Sequence, residues 1–577
     1  MTTRPLTPSR LAAPVASAIL EAFSQHREGF LATTRRAHES FAKKDWARLK
    51  SDQVARLRLY RSAVDTAEMR IRVLLGERCR DRLVWVSAKA VYSALIGMRE
   101  DWDVAETFFN GVTRRIFDTV GVDPLIEFVA SDFDGPPVEV AADSYKRFAG
   151  GSPRQLVLRC LEGFDLGVRW ARPIEDTRLI AKRLKDRTAA MARGVLVALE
   201  VLEQPFYRGT GAYLVGRAVL PGGAVFPVIF AIRHCPGGIY VDALLDTEDD
   251  ASMLFGFTRS YFQVETPCPY EVMRFLRSLI PKKRIAEIYI AIGEPKQGKT
   301  ELYRAVMDHI GETADTFGYA PGVPGLVMVV FTMPGLDVVL KVIRDKFPPE
   351  KQTTPELVRD RYRWVYDHDR AGRLVDAQEF EHLAFPRDRF EPALLEELLG
   401  DCGETVRVDG DRVIVDLAYV TRQVTPLNIY VRTEPQPKAE AALAEWGEAI
   451  RDLARENIFP GDLLLKNFGV TRHGRVALYD YDELAPMTEV AFRDLPETDD
   501  DEDEMRAEPW YSVGPYDVFP QEFPRFLGLP GRLRPSVLES CADIFDAGWW
   551  REVQAGIVAG DIAEQPPYDA ARKLRRA

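Results

Sequence analysis

Cysteine is scarce in this chain. Six fall among 577 residues, and none forms a CxxC pair, so neither a zinc knuckle nor a dithiol redox motif is indicated. They read as reduced, structural side chains of a reducing compartment, and we expect a cytoplasmic protein. The seven histidines are scattered and include no HExxH, which removes the familiar helical zinc-hydrolase pattern. There is no basic excess. The formal net charge is -12, so attraction to nucleic acid through bulk charge is disfavoured. A long unbroken apolar run is also missing. The most apolar stretch, residues 325–343, is interrupted by Pro334, Gly335, Asp337 and Lys341, which argues against a membrane span and for two buried strands around a turn. The opening MTTRPLTPSRLAAPVASAILEAF lacks an apolar core followed by a small-residue cleavage site and continues as an amphipathic helix, unlike a secretory leader. No internal repeat and no long low-complexity segment is visible.

What remains is an ordinary globular composition, 46% hydrophobic and 28% charged, on a chain long enough for about two to four domains. Residues 8–120 are rich in apolar positions at three- and four-residue spacing, the helical period. Residues 180–205 read as another helix. Between about 212 and 247 the pattern becomes AYLVGRAVL, a Pro-Gly-Gly turn, AVFPVIFAI and GGIYVDALL, a small antiparallel meander. Helices return near 270–280. From about 314 the character shifts again. LVMVVFTM and VVLKVI read as strands joined by the turn PGLD. A helix is expected over TPELVRDRYRWVYDHDRAG, then strands DRVIVDLAYV and LNIYVRT. EAALAEWGEAIRDLAREN is a strong amphipathic helix. FPGDLLLKNFGV and RVALYDYDEL form a loop-and-hairpin unit. The acidic run at 497–504 reads as a solvated loop, because like charges repel and stay wet.

Two nucleotide-binding patterns compete. Gly293-Glu-Pro-Lys-Gln-Gly298-Lys299-Thr300 matches the phosphate-loop pattern GxxxxGK[ST], with IAEIYIAI before it as a strand and ELYRAVMDHI after it as a helix. Its surroundings disagree. The alternating strand–helix series of a parallel NTPase sheet is missing, no apolar strand ending in Asp follows, and Glu294 adds negative charge where phosphates would sit. The second pattern is dispersed. Protein kinases need a glycine-bearing turn over the ATP phosphates, a strand lysine on those phosphates, an aspartate near the accepting hydroxyl, and an asparagine and a second aspartate for metal. The chain supplies Ala320-Pro321-Gly322-Val323-Pro324-Gly325-Leu326, then Lys341 inside an apolar strand, where an unpaired charge would be expensive. It then supplies Asp462-Leu-Leu-Leu-Lys466-Asn467 after a long helix, and Asp480-Tyr481-Asp482 at the end of a hairpin arm. Each piece alone is weak; their order, spacing and intervening elements together favour the kinase reading. Its neighbours depart from the ordinary pattern. Pro460-Gly461 replaces His-Arg, Tyr-Asp replaces Phe-Gly, and the glycine loop carries two prolines that stiffen it. The long stretch between Lys341 and a hinge near 425–431 implies an insertion in the small lobe. A non-catalytic scaffold is a further alternative, opposed by retention of Lys341, Asp462, Asn467 and Asp480.

Over its whole length the chain resembles bacterial isocitrate dehydrogenase kinase/phosphatase. The resemblance is carried by APGVPGLVMVVFTMP, VLKVIRDKF, TPLNIYVR, NIFPGDLLLKNFGVTRHGRV, YDYDE and EPWYSVGPYDVFPQEF. It implies an α+β protein with a mostly helical regulatory domain over 1–313 and a bilobal protein-kinase-like domain over 314–577, its small lobe at about 314–430 and its large lobe at about 431–577. It implies reversible phosphorylation of a serine of isocitrate dehydrogenase, switching carbon between the citric acid cycle and the glyoxylate bypass. Kinase, phosphatase and ATPase reactions would share one nucleotide site using ATP with Mg2+ or Mn2+, with ADP, AMP and other metabolites as effectors. The nucleotide loop would be Ala320–Leu326 with Lys341 on the phosphates. Asp462 would be catalytic with Lys466 beside it, Asn467 and Asp480 would hold metal with Asp482 assisting, and Asp376 in GRLVDAQEF would serve phosphate removal. A homodimer is left open, and neither nucleic acid nor membrane is expected as a partner. Glu356, on the helix after Lys341, is the candidate acidic partner for that lysine.

Overall fold

Helix α1 (Pro8–Lys43) presents Val15, Ala16, Ile19, Ala22 and Phe23 to one buried face, the three-and-four spacing that a helical stripe requires. Asp45 caps α2 (Trp46–Leu75) by accepting the Arg48 N–H at 3.0 Å. These two helices, α3 (Arg82–Ile96) and α4 (Trp102–Phe117) close around Trp85, Tyr92, Phe108 and Phe109. This is the structure in a computed structural model, which describes residues 7–129, 144–191, 194–256, 261–349, 351, 353–368, 372–496, 511–514, 516–561 and 566–574. The acidic run at 497–504 lies outside the described residues. No helix among them is long and apolar enough to cross a membrane. The cysteines are free, and five of the six are buried.

The chain divides into two compact units. The first comprises the described residues of Met1–Gly256, Ser260–Thr313 and Pro566–Ala577, and the second those of Phe257–Arg259 and Ala314–Gln565. After the helical bundle the first unit builds an antiparallel sheet from β1 (Tyr145–Ala149), β2 (Ala198–Leu202), β3 (Phe206–Arg208), β4 (Gly211–Val219), β5 (Val225–Cys235) and β6 (Gly238–Leu245). Its order is β1-β2-β4-β5-β6, with β3 on β4. The meander read from the sequence is β4–β6, with Gly222 at φ 80° in the turn. Alternate residues of β4 and β5 go to different cores: Leu214, Val228 and Phe230 to one face, Val215, Ile229 and Ala231 to the other. Burial on both faces explains why these strands are continuously apolar rather than alternating. One face is covered by α5 (Pro153–Glu162) and α6 (Pro173–Ala190). The other is covered by α7 (Glu248–Leu254), α8 (Pro269–Leu279) and α9 (Ile285–Ala291).

Two expectations are corrected here. The helix expected over 180–205 ends at Ala190, and Ala198–Leu202 is a wholly buried strand; the apolar run there serves a sheet covered on both sides, which periodicity cannot separate from a buried helix. The phosphate-loop pattern fares worse. IAEIYIA is helix α9, not a strand, and Pro295 opens α10 (Pro295–Glu312). Gly298 and Lys299 therefore lie inside a helix, with no loop to cradle a phosphate.

The second unit holds a six-stranded antiparallel sheet: β7 (Gly318–Tyr319), β8 (Met328–Thr332), β9 (Val338–Ile343), β10 (Ala377–Pro386), β11 (Val406–Asp409) and β12 (Arg412–Arg422). The order is β10-β12-β9-β8-β7, with β11 on β12. Helices α11 (Pro355–His368) and α12 (Pro392–Asp401) fall between its strands in sequence. Short strand β13 (Thr425–Pro426) leads into α13 (Leu427–Thr433). LNIYVRT is thus helical, a third misread short segment. Leu427 and Val431, four apart, are its buried residues, and Pro426 sits at its start, where a missing N–H costs nothing. Helix α14 (Gln436–Arg455) buries Leu443, Trp446, Ile450 and Leu453 on one stripe. The hairpin β14 (Phe468–Val470) and β15 (Val476–Leu478) follows, pairing with β13. Helices over Arg534–Ser540 and Ala547–Ala559 complete this core around Trp446 and Trp550.

Candidate active site

Lys341 sits in the middle of the sheet, on β9 between Val330 of β8 and Tyr419 of β12. All six residues of β9 are buried, the lysine included. Its Nζ donates to the carbonyl of Tyr479 at 2.6 Å and lies 5.1 Å from the Tyr479 ring. Burial pushes the amine below its ordinary range, and the carboxylates of Asp480 and Asp482 oppose that shift. The strand lysine is therefore tied to the Asp480-Tyr481-Asp482 segment by one direct bond and by charge. Glu356 takes no part. It is exposed, and its carboxyl is held below the usual range by its own helix start, first by a backbone N–H and then by Thr354. The buried face of α11 presents Val358, Tyr362 and Val365 instead. Tyr362 stacks on Tyr419 at 4.1 Å and meets Tyr481 edge-on at 5.0 Å. An aromatic layer occupies the place where an acidic partner was expected.

Asp480 and Asp482 form a hydrogen-bonded carboxyl pair. Burial pushes Asp480 up to about 8, reinforced by its hydrogen bond with Asp482 and by the charge there, and opposed by Lys341 and Lys351. Burial also acts on Asp482, but the hydrogen bond from Asp480 and the ammonium of Lys351 hold it below the usual carboxylate range. Lys351 bridges Asp482 at 3.3 Å and Glu483 at 2.5 Å, and those acids raise its own affinity for a proton despite burial. The sequence reading missed Lys351. Its partners lie more than a hundred residues away, and nothing local marks it.

The loop after α14 is shaped by its backbone. Gly461 has φ 85° and Leu463 φ 43°, the left-handed region that a leucine adopts only when its surroundings enforce it. A Cβ at Gly461 would come within 2.7 Å of the Glu483 Cβ and 3.0 Å of the Glu483 carbonyl oxygen. Gly461 is thereby explained: the loop crosses Glu483 too closely for an arginine. Asp462 accepts the Leu464 N–H at 3.2 Å and the Asn467 side-chain N–H at 2.5 Å. Burial and then the Glu483 charge push Asp462 up, opposed by the Leu464 N–H and Lys466. Asn467 is buried, and its carbonyl takes the Tyr479 N–H at 3.0 Å. Lys466 between them is exposed.

Asp376 reaches the same neighbourhood through its backbone. Leu374 bridges Leu478 in parallel, the Val375 N–H donates to the Leu478 carbonyl at 2.9 Å, and the Leu478 N–H donates to Arg373 at 2.7 Å. The Tyr481 hydroxyl donates to the Val375 carbonyl. Arg373, buried, is clamped by Glu445 and Asp452 of α14 at 2.7 Å each. The Asp376 carboxylate accepts from Gln378 at 2.5 Å. Segment 373–375, immediately before Asp376, is thus laid alongside the end of strand Val476–Leu478, two residues before Asp480. The loop Ala320–Leu326 is mostly exposed. It is anchored by the Ala320 N–H on Val330 at 3.1 Å and by the Arg344 guanidinium on the Gly325 carbonyl at 3.2 Å. A Cβ on Gly325 would lie 2.6 Å from the Met328 carbonyl oxygen, so only glycine closes this turn.

A five-part arrangement results: an exposed glycine turn, a buried strand lysine, an Asp–Asn loop, a carboxylate pair, and a further aspartate beside it. Among the described residues no cluster of three metal-ligating side chains of the His, Cys, Asp and Glu types is preformed. The donors present are oxygens, and a divalent cation would take the place of the proton that Asp480 and Asp482 share. A hard cation that keeps waters and shares substrate phosphates needs no more than one or two carboxylates from the protein.

Sheet, hairpin and site together define a protein-kinase-like phosphoryl-transfer unit. Residues 315–570 match the family model described as "Isocitrate dehydrogenase kinase/phosphatase (AceK) kinase domain", and residues 16–314 match that family's regulatory domain. A curated isocitrate dehydrogenase kinase/phosphatase of Anaeromyxobacter sp. (strain Fw109-5) is 46% identical over 98% of this chain and 99% of its own. Another, from Xanthomonas campestris pv. campestris, is 41% identical over the full length of both. The chain belongs to the isocitrate dehydrogenase kinase/phosphatase family.

Proposed function

We propose that the chain adds phosphate to isocitrate dehydrogenase from ATP and removes it again, at one site in the second unit, as the name of its relatives describes for them. The single observation that carries this reading is the direct tie between Lys341 and the Asp480-Tyr481-Asp482 segment, with Asp376 laid beside it. In the forward direction Lys341 positions the ATP phosphates under the Ala320–Leu326 turn. Asp462, held by the Leu464 and Asn467 N–H groups, orients the acceptor hydroxyl and takes its proton. Its raised proton affinity suits that task. Lys466, exposed at the loop, offsets charge on the phosphoryl group in flight. Asn467 and Asp480, with Asp482 beside them, are the residues to hold Mg2+ or Mn2+, which would neutralise phosphate charge. In the reverse direction Asp376 orients a water against the phosphoserine. Most of the acceleration in both directions comes from positioning and charge stabilisation.

In this reading residues 1–313 are regulatory and 314–577 catalytic, and ADP, AMP and related metabolites shift the balance. The chain works in the cytoplasm without nucleic acid or membrane, and homodimer formation is a question for solution scattering. The test is reconstitution with purified isocitrate dehydrogenase, ATP and Mg2+, following both phosphate incorporation and release. Asp376→Ala is expected to lose release while keeping incorporation. Equal loss of both would remove Asp376 from a phosphatase-specific role. Lys341→Ala is expected to lose ATP-dependent chemistry by about 100-fold or more.

A further inference from the structure

The acids of the candidate active site already have cations of their own. Lys351, on the connection between β9 and α11, donates its backbone N–H to the Pro348 carbonyl at 2.9 Å. Its side chain runs from there to Asp482 at 3.3 Å and Glu483 at 2.5 Å. Asp462 and Asp480 also feel its charge. One ammonium therefore faces Asp462, Asp480 and Asp482 together, and Glu483 helps to hold it there.

Lys351 does not duplicate Lys341. Lys341 is 5% exposed, with its Nζ fixed on the Tyr479 carbonyl at 2.6 Å. The Lys351 side chain is 23% exposed, and both of its side-chain partners are carboxylates. A compact ammonium on a flexible four-carbon stem can change partners when a better anion arrives.

The charge count gives that mobility a purpose. With every acid ionised, Asp462, Asp480, Asp482 and Glu483 face Lys341, Lys351, Lys466 and Arg361 of α11. Charges of the two signs balance in this corner without any ligand. A divalent ion alone would add positive charge that no carboxylate is left to offset, and it would meet an ammonium already on Asp482. Nucleotide phosphates reverse that balance, because they bring negative charge for both cations to share.

We propose that Lys351 is a resident counter-cation. It holds Asp482 in the absence of nucleotide, competes with the divalent metal ion for that carboxylate, and gives it up when ATP phosphates supply another anion. Metal and nucleotide are thereby made to load together. The proposal rests on the reading that Asn467 and Asp480, with Asp482 beside them, hold the metal.

The test is Mn2+ binding to the full-length chain, read by electron paramagnetic resonance, without nucleotide and with a non-hydrolysable ATP analogue. Lys351→Met and Lys351→Gln remove the charge; Lys351→Arg keeps it. Both neutral variants are expected to bind Mn2+ about tenfold more tightly than the parent without nucleotide, and to match it with the analogue. Coupling between metal and nucleotide then falls by about tenfold, and the analogue's own gain from Mn2+ falls by the same factor. Lys351→Arg is expected to follow the parent in both conditions. Unfolding midpoints without metal verify that each variant folds, and the two neutral variants check each other. A lysine that only supported the site would weaken metal binding when lost, not strengthen it. Asp480→Asn tests the metal reading itself and is expected to lose Mn2+ in both conditions. If it kept the ion, that reading and this proposal would fall together. With that loss observed, the counter-cation alone is overturned if the neutral variants bind Mn2+ no more tightly than the parent without nucleotide, or if they gain equally with and without the analogue.

Discussion

The Tyr481 hydroxyl makes a bond that the phenylalanine of an ordinary kinase could not. Its ring is fully buried against Tyr362, and its hydroxyl donates to the Val375 carbonyl, one residue before Asp376. Tyr481→Phe keeps the packing and leaves that carbonyl short of its donor, at a cost of about 1 kcal/mol. The expected outcome is a small loss of unfolding stability and a fall in phosphate release larger than the fall in phosphate incorporation; an unchanged ratio would detach Tyr481 from the placement of Asp376. Asp480 supports a second measurement. Its carboxyl is pushed up to about 8, by burial first and then by Asp482. A metal ion needs the ionised form, so below that pH a proton must leave as metal binds. Metal affinity without nucleotide is therefore expected to rise with pH, by at most about tenfold per unit, and to level off above about 8. A Mn2+ titration followed by electron paramagnetic resonance reads this directly, and a flat profile between pH 6 and 8 would contradict the shared-proton pair.

At the scale of the element, α9 and α10 show how a motif can be complete in letters and absent in space. A Cβ on Gly298 would lie 2.6 Å from the Ala286 carbonyl oxygen and 2.5 Å from Ile290 Cγ1. The glycine lets two helices touch; no phosphate is involved. Gly298→Ala is expected to destabilise the first unit by about 1–3 kcal/mol of overpacking, reduced by alanine's better helix propensity of about 1 kcal/mol. Lys299→Ala should leave ATP turnover intact, and loss of turnover with Lys299 while Lys341→Ala remained active would restore the phosphate-loop reading. The same elements show what the sequence could convey. Lys341, Asp462, Asn467 and Asp480 could be grouped from the sequence because their order and spacing would follow from one chemical task, and α14 was legible because its stripe is long. The segments Ile285–Ala291, Ala198–Leu202 and Leu427–Thr433 were misread because short apolar runs fit both periods. Lys351 and Arg373 were invisible because their partners are distant in the chain, at Asp482 and Glu483 and at Glu445 and Asp452. The role of Gly461 became plain only once Glu483 was seen beneath it.

At the scale of the whole molecule, the first unit is not continuous in sequence: the chain returns to it at Pro566–Ala577. Several contacts secure the return, three of them through aspartates of the first unit. The Tyr568 hydroxyl donates to Asp242 at 2.9 Å, the Leu574 N–H donates to the Asp242 carbonyl at 2.8 Å, and Arg572 pairs with Asp250 at 2.8 Å. Asp250 is 2% exposed, so removing Arg572 strands a buried carboxylate, which typically costs about 3–5 kcal/mol. Tyr568 and Leu574 also lie in the two cores on either face of the first sheet. A chain ending after Asp561 is therefore expected to show a lower unfolding midpoint and faster amide exchange in β6, whose Ala243 is bridged by Lys573. Arg572→Met is the finer probe, because it keeps the tail and its apolar contacts and removes only the cation. It should reproduce most of the destabilisation, and Asp250→Asn should restore part of it by removing the stranded charge. If Arg572→Met matched the parent in both midpoint and β6 exchange, the ion pair would not be what holds the tail, leaving Tyr568 and Leu574 to account for it.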